Sequence, residues 1–98
     1  MQVLAICRRK TEVFSEAEFA ALLEPEAENA RVLYAQGIVR SAWSREDVLG
    51  ACLLLEVESL ARAEEVMATF PFAAAGMLEV QLIGLRGYRG FGPRSIQS

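Results

Sequence analysis

The run Ala51-Cys52-Leu53-Leu54-Leu55-Glu56-Val57 constrains this chain more than any other stretch. It follows Gly50 and is too short and too poorly capped for a helix, so it predicts a strand. Strand side chains alternate between two faces. Ala51, Leu53, Leu55 and Val57 share one face, and Cys52, Leu54 and Glu56 share the other. Both faces are mostly apolar, which marks a central strand covered on both sides. Only two helices are legible in the rest of the chain, enough to cover one side. A second copy of the chain is the simplest cover for the other.

Size and charge narrow the function classes. The chain has 98 residues, the length of one domain with a thin core. We read 1–85 as that domain and 86–98 as a C-terminal arm. Hydrophobic residues make up 53%, above the usual ~45–50%, which fits a protein with an additional surface to hide. A net charge of −3 argues against a nucleic-acid binder, which needs a basic footprint. No apolar run reaches the ~20 residues of a membrane span, and the first residues lack a secretory pattern. Cys7 and Cys52 both fall in predicted strands and are read as free thiols in a reducing cytoplasm. Histidine is absent. That excludes Ser–His and Cys–His catalysis, histidine haem ligation and the usual zinc sites, so no metal or cofactor is expected.

Taken in order, Gln2–Arg8 is a second strand with two apolar faces. Arg8, Arg9 and Lys10 close it as a solvated strand end, with an anion site as the alternative. Ser15 and Glu18 form a capping box, and Phe14 and Phe19 have the spacing of a hydrophobic staple. The helix they start carries a stripe of Phe19, Leu22, Leu23, Ala27, Ala30, Leu33 and Tyr34. Pro25 predicts a kink or break near Glu24, and Gly37 ends the helix. The six glutamates from Glu12 to Glu28 read as a solvated face. Ile38–Arg45 is the next strand, with Ile38, Arg40, Ala42 and Ser44 on one face and Val39, Ser41 and Trp43 on the other. A polar turn, 46–50, makes it an antiparallel neighbour of the organising strand. Ser59 caps a second helix striped by Leu60, Ala63, Met67 and Phe70, and Phe70-Pro71 ends it. A loop, 72–76, leads to the last strand, Met77–Leu85. There Leu78, Val80 and Leu82 face the helices, while Glu79, Gln81 and Ile83 face away.

Strand, helix, strand, strand, helix, strand is the split βαβ, ferredoxin-like α+β arrangement. Right-handed crossovers put both helices on one face of a four-stranded antiparallel sheet. The first and third strands are then central, which matches their two-sided apolar character. Two such sheets, face to face, form a dimeric α/β barrel.

The run Gln36-Gly37-Ile38-Val39-Arg40-Ser41-Ala42-Trp43 resembles the helix-to-strand junction of the muconolactone isomerases. Leu55-Glu56-Val57-Glu58-Ser59 is similar to that family's third strand entering its second helix. Phe70-Pro71 with Glu79-Val80-Gln81 resembles its last loop and strand. The resemblance spans about 33–85. It implies a small dimeric barrel that assembles further, into decamers, and a cofactor-free shift of a double bond in an unsaturated lactone acid. The isomerases carry a histidine where this chain has Ser41, and the N-terminal third matches poorly.

Such a reaction needs a base near the carbon acid, a donor near the enolate and a hold on the substrate carboxylate. Alternation sends Glu79 into the space between the sheets, where partial burial is expected to raise its pKa, so it is the base candidate. Arg40 is the candidate carboxylate clamp, with Arg86 or Arg89 as alternatives. Trp43, Tyr34 and Gln81 are candidate pocket walls. Arg40 and Trp43 lie on opposite faces by strict alternation, so only a bulge or strand end brings both to one cavity. The expected partners are a second copy of the chain and a small organic acid or lactone. Two other readings stay open: a non-catalytic binding or assembly module, and a cofactor-free monooxygenase on the same barrel.

Overall fold

A computed structural model describes residues 1–91. Its elements are β1 (Gln2–Arg9), α1 (Glu16–Ala35), β2 (Val39–Ser44), β3 (Gly50–Glu56), α2 (Leu60–Ala68), α3 (Pro71–Ala74) and β4 (Leu78–Leu85). The strands form one sheet in the order β2-β3-β1-β4, and every neighbouring pair is antiparallel. The expected arrangement is present, with β1 and β3 in the middle. Residues 92–98 of the expected arm lie outside the described residues.

Register fixes the two faces. Val3 pairs with Leu55, Ala5 with Leu53 and Cys7 with Ala51. Val3, Ala5 and Leu55 are fully buried under the helices, against Ala63, Val66 and Met67 of α2. On the opposite face Leu4 pairs with Leu54 and Ile6 with Cys52, and Leu4 also lies beside Ile83. Nothing among the described residues covers that face: Trp43 is 53% exposed, and Ile83 and Leu85 are also exposed. Cys7 and Cys52 are free thiols on opposite faces of the sheet.

Local signals set the helix ends. Ser15 accepts from the Glu18 amide while the Glu18 side chain accepts from the Ser15 amide. Phe14 and Phe19 meet edge to face at 6.3 Å. At the other end Gly37 takes a positive φ of 77°. The Gly37 and Ile38 amides donate to the Tyr34 and Leu33 carbonyls, a Schellman closure that needs a residue free of Cβ crowding.

Four expectations need correction. First, α1 runs unbroken through Pro25. Pro25 and Ala21, whose carbonyl loses its partner, lie on the exposed side, where water satisfies that oxygen. The buried Phe19 and Leu33 anchor the helix on either side. Second, the expected loop after Phe70 contains a short helix, α3, with Pro71 at its first turn and Phe72 buried. Third, the register of β2 shifts between Val39 and Ser41. This bulge at Arg40 turns Val39 into the core at 3% exposure, on the face of Ala42 and Ser44 rather than that of Ser41 and Trp43. Fourth, Val66 fills the buried stripe of α2, whereas Leu60, Leu23 and Tyr34, assigned to helix stripes, are exposed.

Candidate functional site

The sequence candidates do not converge. Glu79, Gln81, Ser41 and Trp43 lie on the open face, opposite Arg8, Ile6, Leu54 and Cys52. Arg40 occupies the bulge and is exposed. Tyr34 sits exposed near the end of α1, and Arg86 and Arg89 are exposed beyond β4. The Arg8 Nε donates to Glu79 at 3.0 Å, and its two terminal nitrogens donate to Glu12 at 3.0 and 3.1 Å. That guanidinium lowers the Glu79 pKa and holds Glu12 down at about 2. The raised pKa expected of Glu79 is therefore absent in the single chain: a cation outweighs the slight burial.

The helix side holds a different constellation. A partly open cavity of about 290 Å³ lies between α1, α3 and the sheet. Its wall is mostly apolar, and four polar side chains reach it: Cys7, Arg9, Glu26 and Ser44. Each arrives by a simple rule. Cys7 and Arg9 continue the helix-facing parity of Val3 and Ala5. Ser44 pairs with Ala51 on the same face of β2. Glu26 lies seven residues after Phe19 and seven before Leu33, on the buried side of α1. A Cβ at Gly50, also in the wall, would collide with the Cys7 carbonyl, so the hairpin end closes tightly here.

Glu26 is the chemically distinctive group. It is half-buried, and one carboxyl oxygen accepts from the Phe72 amide at 2.9 Å. Phe72 stands in the first turn of α3, whose N-cap, Phe70, offers no side-chain acceptor. Glu26 thus caps α3 from another helix. Burial raises its pKa; the Phe72 amide and the positive Arg9 oppose that rise without cancelling it. Burial also pushes the Cys7 thiol up to about 11, so it stays protonated at neutral pH and is a poor nucleophile. Arg9, read as a solvated strand end, instead lies with its guanidinium carbon 5.2 Å from the ring centroids of both Phe19 and Phe72.

Replacing Glu26 by Gln tests this electrostatic picture. The folded-state pKa of Glu26 is raised, so its contribution to stability is intact below the unfolded value of about 4.3 and is lost as pH rises through the folded one. Glutamine keeps an acceptor for the Phe72 amide and cannot ionise. The melting temperature of Glu26→Gln relative to wild type should therefore rise between about pH 4 and pH 7. A constant or falling difference contradicts the assignment. Glu12, Glu79 and Asp47, with lowered pKa values, lose their contribution as pH falls; they are common to both proteins and cancel in the difference.

The sequence matches no family model and no curated protein. The fold does have a likeness among solved structures: 5-chloro-2-hydroxyhydroquinone dehydrochlorinase from Burkholderia phenoliruptrix, in complex with 2,5-dihydroxybenzoquinone. The match has a TM-score of 0.74 at 15% identity and covers 92% of this chain and 98% of that one. The fold is ferredoxin-like. At that identity the likeness concerns the fold alone. Among the described residues no cluster of metal-binding side chains occurs, and no helix is long and apolar enough to cross a membrane.

Proposed function

We propose that this chain is a cofactor-free acid–base enzyme, with the helix-side cavity as its site and Glu26 as the group that moves a proton. Its substrate is a small unsaturated acid, lactone or hydroxyquinone of the kind formed in aromatic breakdown. The observation that carries this is a half-buried carboxyl, raised in pKa by burial, on the wall of a mostly apolar cavity. A raised pKa makes the carboxylate a stronger base near neutral pH. With one oxygen held by the Phe72 amide, the other takes a proton from the carbon next to the unsaturated system, leaving a dienolate. The same carboxyl then returns the proton at the far end of that system, and the double bond has moved. The resemblance to muconolactone isomerases supports this proton-shift chemistry. A fold neighbour bound to a dihydroxybenzoquinone supports a one-ring substrate.

In this reading a second copy of the chain covers the open face, giving the dimeric α/β barrel, and the protein works in the reducing cytoplasm. Arg8 and Glu79 on that face already pair with each other. The rest of the face is largely apolar, and its other carboxylate, Glu56, pairs with the amino terminus, which suits an identical face. Glu79, Gln81 and Trp43 belong to the interface, and the cavity is complete within each chain.

The test is turnover. Conversion of muconolactone and of hydroxyquinones, followed by ultraviolet absorbance, should fall ~10²–10⁴-fold in Glu26→Gln. Because Gln preserves the cap on α3, a purely structural role for Glu26 predicts unchanged turnover, and that result removes the proposal. Ligand-induced melting shifts without conversion by the wild type would assign a binding module instead.

A further inference from the structure

We infer that Arg9 is the anion-holding residue of the helix-side cavity, which takes a one-ring ligand carrying a single carboxylate or similarly delocalised oxyanion. This rests on reading that cavity as a ligand site. Most half-buried or helix-borne arginines here are already committed. Arg8 spends its donors on Glu79, Glu12 and the Arg9 carbonyl. Arg31 pairs with Glu24 and Glu28, Arg45 with Asp47, and Arg62 with Glu65. Arg9, Arg40, Arg86 and Arg89 have no carboxylate partner among the described residues, and of these only Arg9 is partly buried. None of its side-chain nitrogens is sealed from solvent without a partner, so its donors face water that an oxyanion can displace.

What holds Arg9 leaves its donors open. Its guanidinium carbon lies 5.2 Å from the Phe19 and Phe72 centroids, and those two rings brace each other edge to face at 5.3 Å. Cation–π attraction fixes the group without engaging an oxygen. Glu26 lines the same cavity and feels the charge of Arg9, yet the two form no ion pair. One of its oxygens is turned to the Phe72 amide instead. A bidentate oxyanion is the natural complement of the unused fork. Size sets the rest of the ligand. The cavity of about 290 Å³ is roughly twice one that holds a single benzene ring, room for one ring with its substituents.

Benzoate and its neutral analogue benzamide are the probes, titrated into the intact chain by calorimetry and by amide chemical shifts around Cys7, Ala27 and Ala30. Benzoate should bind at least about tenfold more tightly than benzamide. Arg9→Gln should abolish that preference while leaving benzamide within about twofold of wild type, and Arg9→Lys, which keeps charge without the fork, should fall between. The wild-type ratio needs no variant, so a misfolded substitution does not spoil the test. Equal affinities in wild type, a preference that survives Arg9→Gln, or no binding of either probe at about 10 mM overturns the inference. Arg9-dependent benzoate binding with turnover insensitive to Glu26→Gln would remove the acid–base function and leave this site. Glu26-dependent turnover without a benzoate preference would do the reverse.

Discussion

Leu54→Lys is expected to split the proposed sheet-to-sheet dimer into well-folded monomers. Leu54 lies at the middle of the open face, with Leu4 beside it on β1 and Ser41 beside it on β2. Its own chain buries it only in part. If two such faces meet, each lysine introduces an ammonium into a dry interface whose nearest carboxylate on this strand, Glu56, is already paired with the amino terminus. The effective penalty is several kcal/mol per ion, so the dissociation constant should rise at least ~10³-fold. Sedimentation at about 10 µM, a concentration typical of moderately tight dimers, should give twice the 10.8 kDa chain mass for wild type and the single mass for the variant. Far-ultraviolet circular dichroism should not change, because the helix-side core around Val3 and Leu55 is untouched. A monomeric wild type would refute the dimer and leave an apolar sheet face bare, against the usual limit on such patches.

Much of the fold was legible because it follows from short-range rules. Two-sided apolar alternation in Val3–Cys7 and Ala51–Val57 identified the central strands. Ser15 with Glu18, Phe14 with Phe19, and Gly37 marked the ends of α1 through side-chain and backbone geometry that spans only a few residues. The bulge at Arg40 was not legible: one inserted residue inverts the faces on one side of it, and nothing in the residue types announces it. The short helix α3 was hidden because Phe70-Pro71 signals an end and equally permits Pro at a new helix start.

The site was less legible, for two separate reasons. Arg9 has the parity of Val3, Ala5 and Cys7, and β1 runs one residue past the expected end at Arg8, which brings it under the helices. Its charge, and its neighbours Arg8 and Lys10, suggested solvent instead. Only the aromatic pair from α1 and α3, far away in sequence, explains how a cation is held there. Glu26 was submerged in a run of glutamates that looked like a solvated face. The helical period, counted from Phe19 and Leu33, put it on the buried stripe, and a carboxylate in such a stripe is the signal to look for. Glu79 attracted attention because alternation sends it into the space between the sheets, but a carboxylate directly opposite an arginine, as Arg8 and Glu79 are, is more readily an ion pair than a base.

Leu55→Ala is expected to be strongly destabilising, because it truncates the largest fully buried side chain among the described residues. Leu55 is fully buried on β3, flanked on the sheet by Val3 at 0% and Val39 at 3% exposure. Alanine leaves a cavity that neighbours in two strands cannot fill, and such changes cost about 2–5 kcal/mol. A domain of this size has only ~5–15 kcal/mol in total. With a urea dependence of roughly 1–1.5 kcal/mol/M, the midpoint should fall by about 1.3 M or more. A loss under about 1 kcal/mol would mean that the core does not centre on this residue. The neighbouring Leu54→Ala sharpens the comparison, since it removes the same atoms from the other face of the same strand. In an isolated chain it should cost far less than Leu55→Ala, because Leu54 is already partly wet. In a sheet-to-sheet dimer the two costs should approach each other, and that of Leu54→Ala should grow with protein concentration, because dissociation is then part of unfolding.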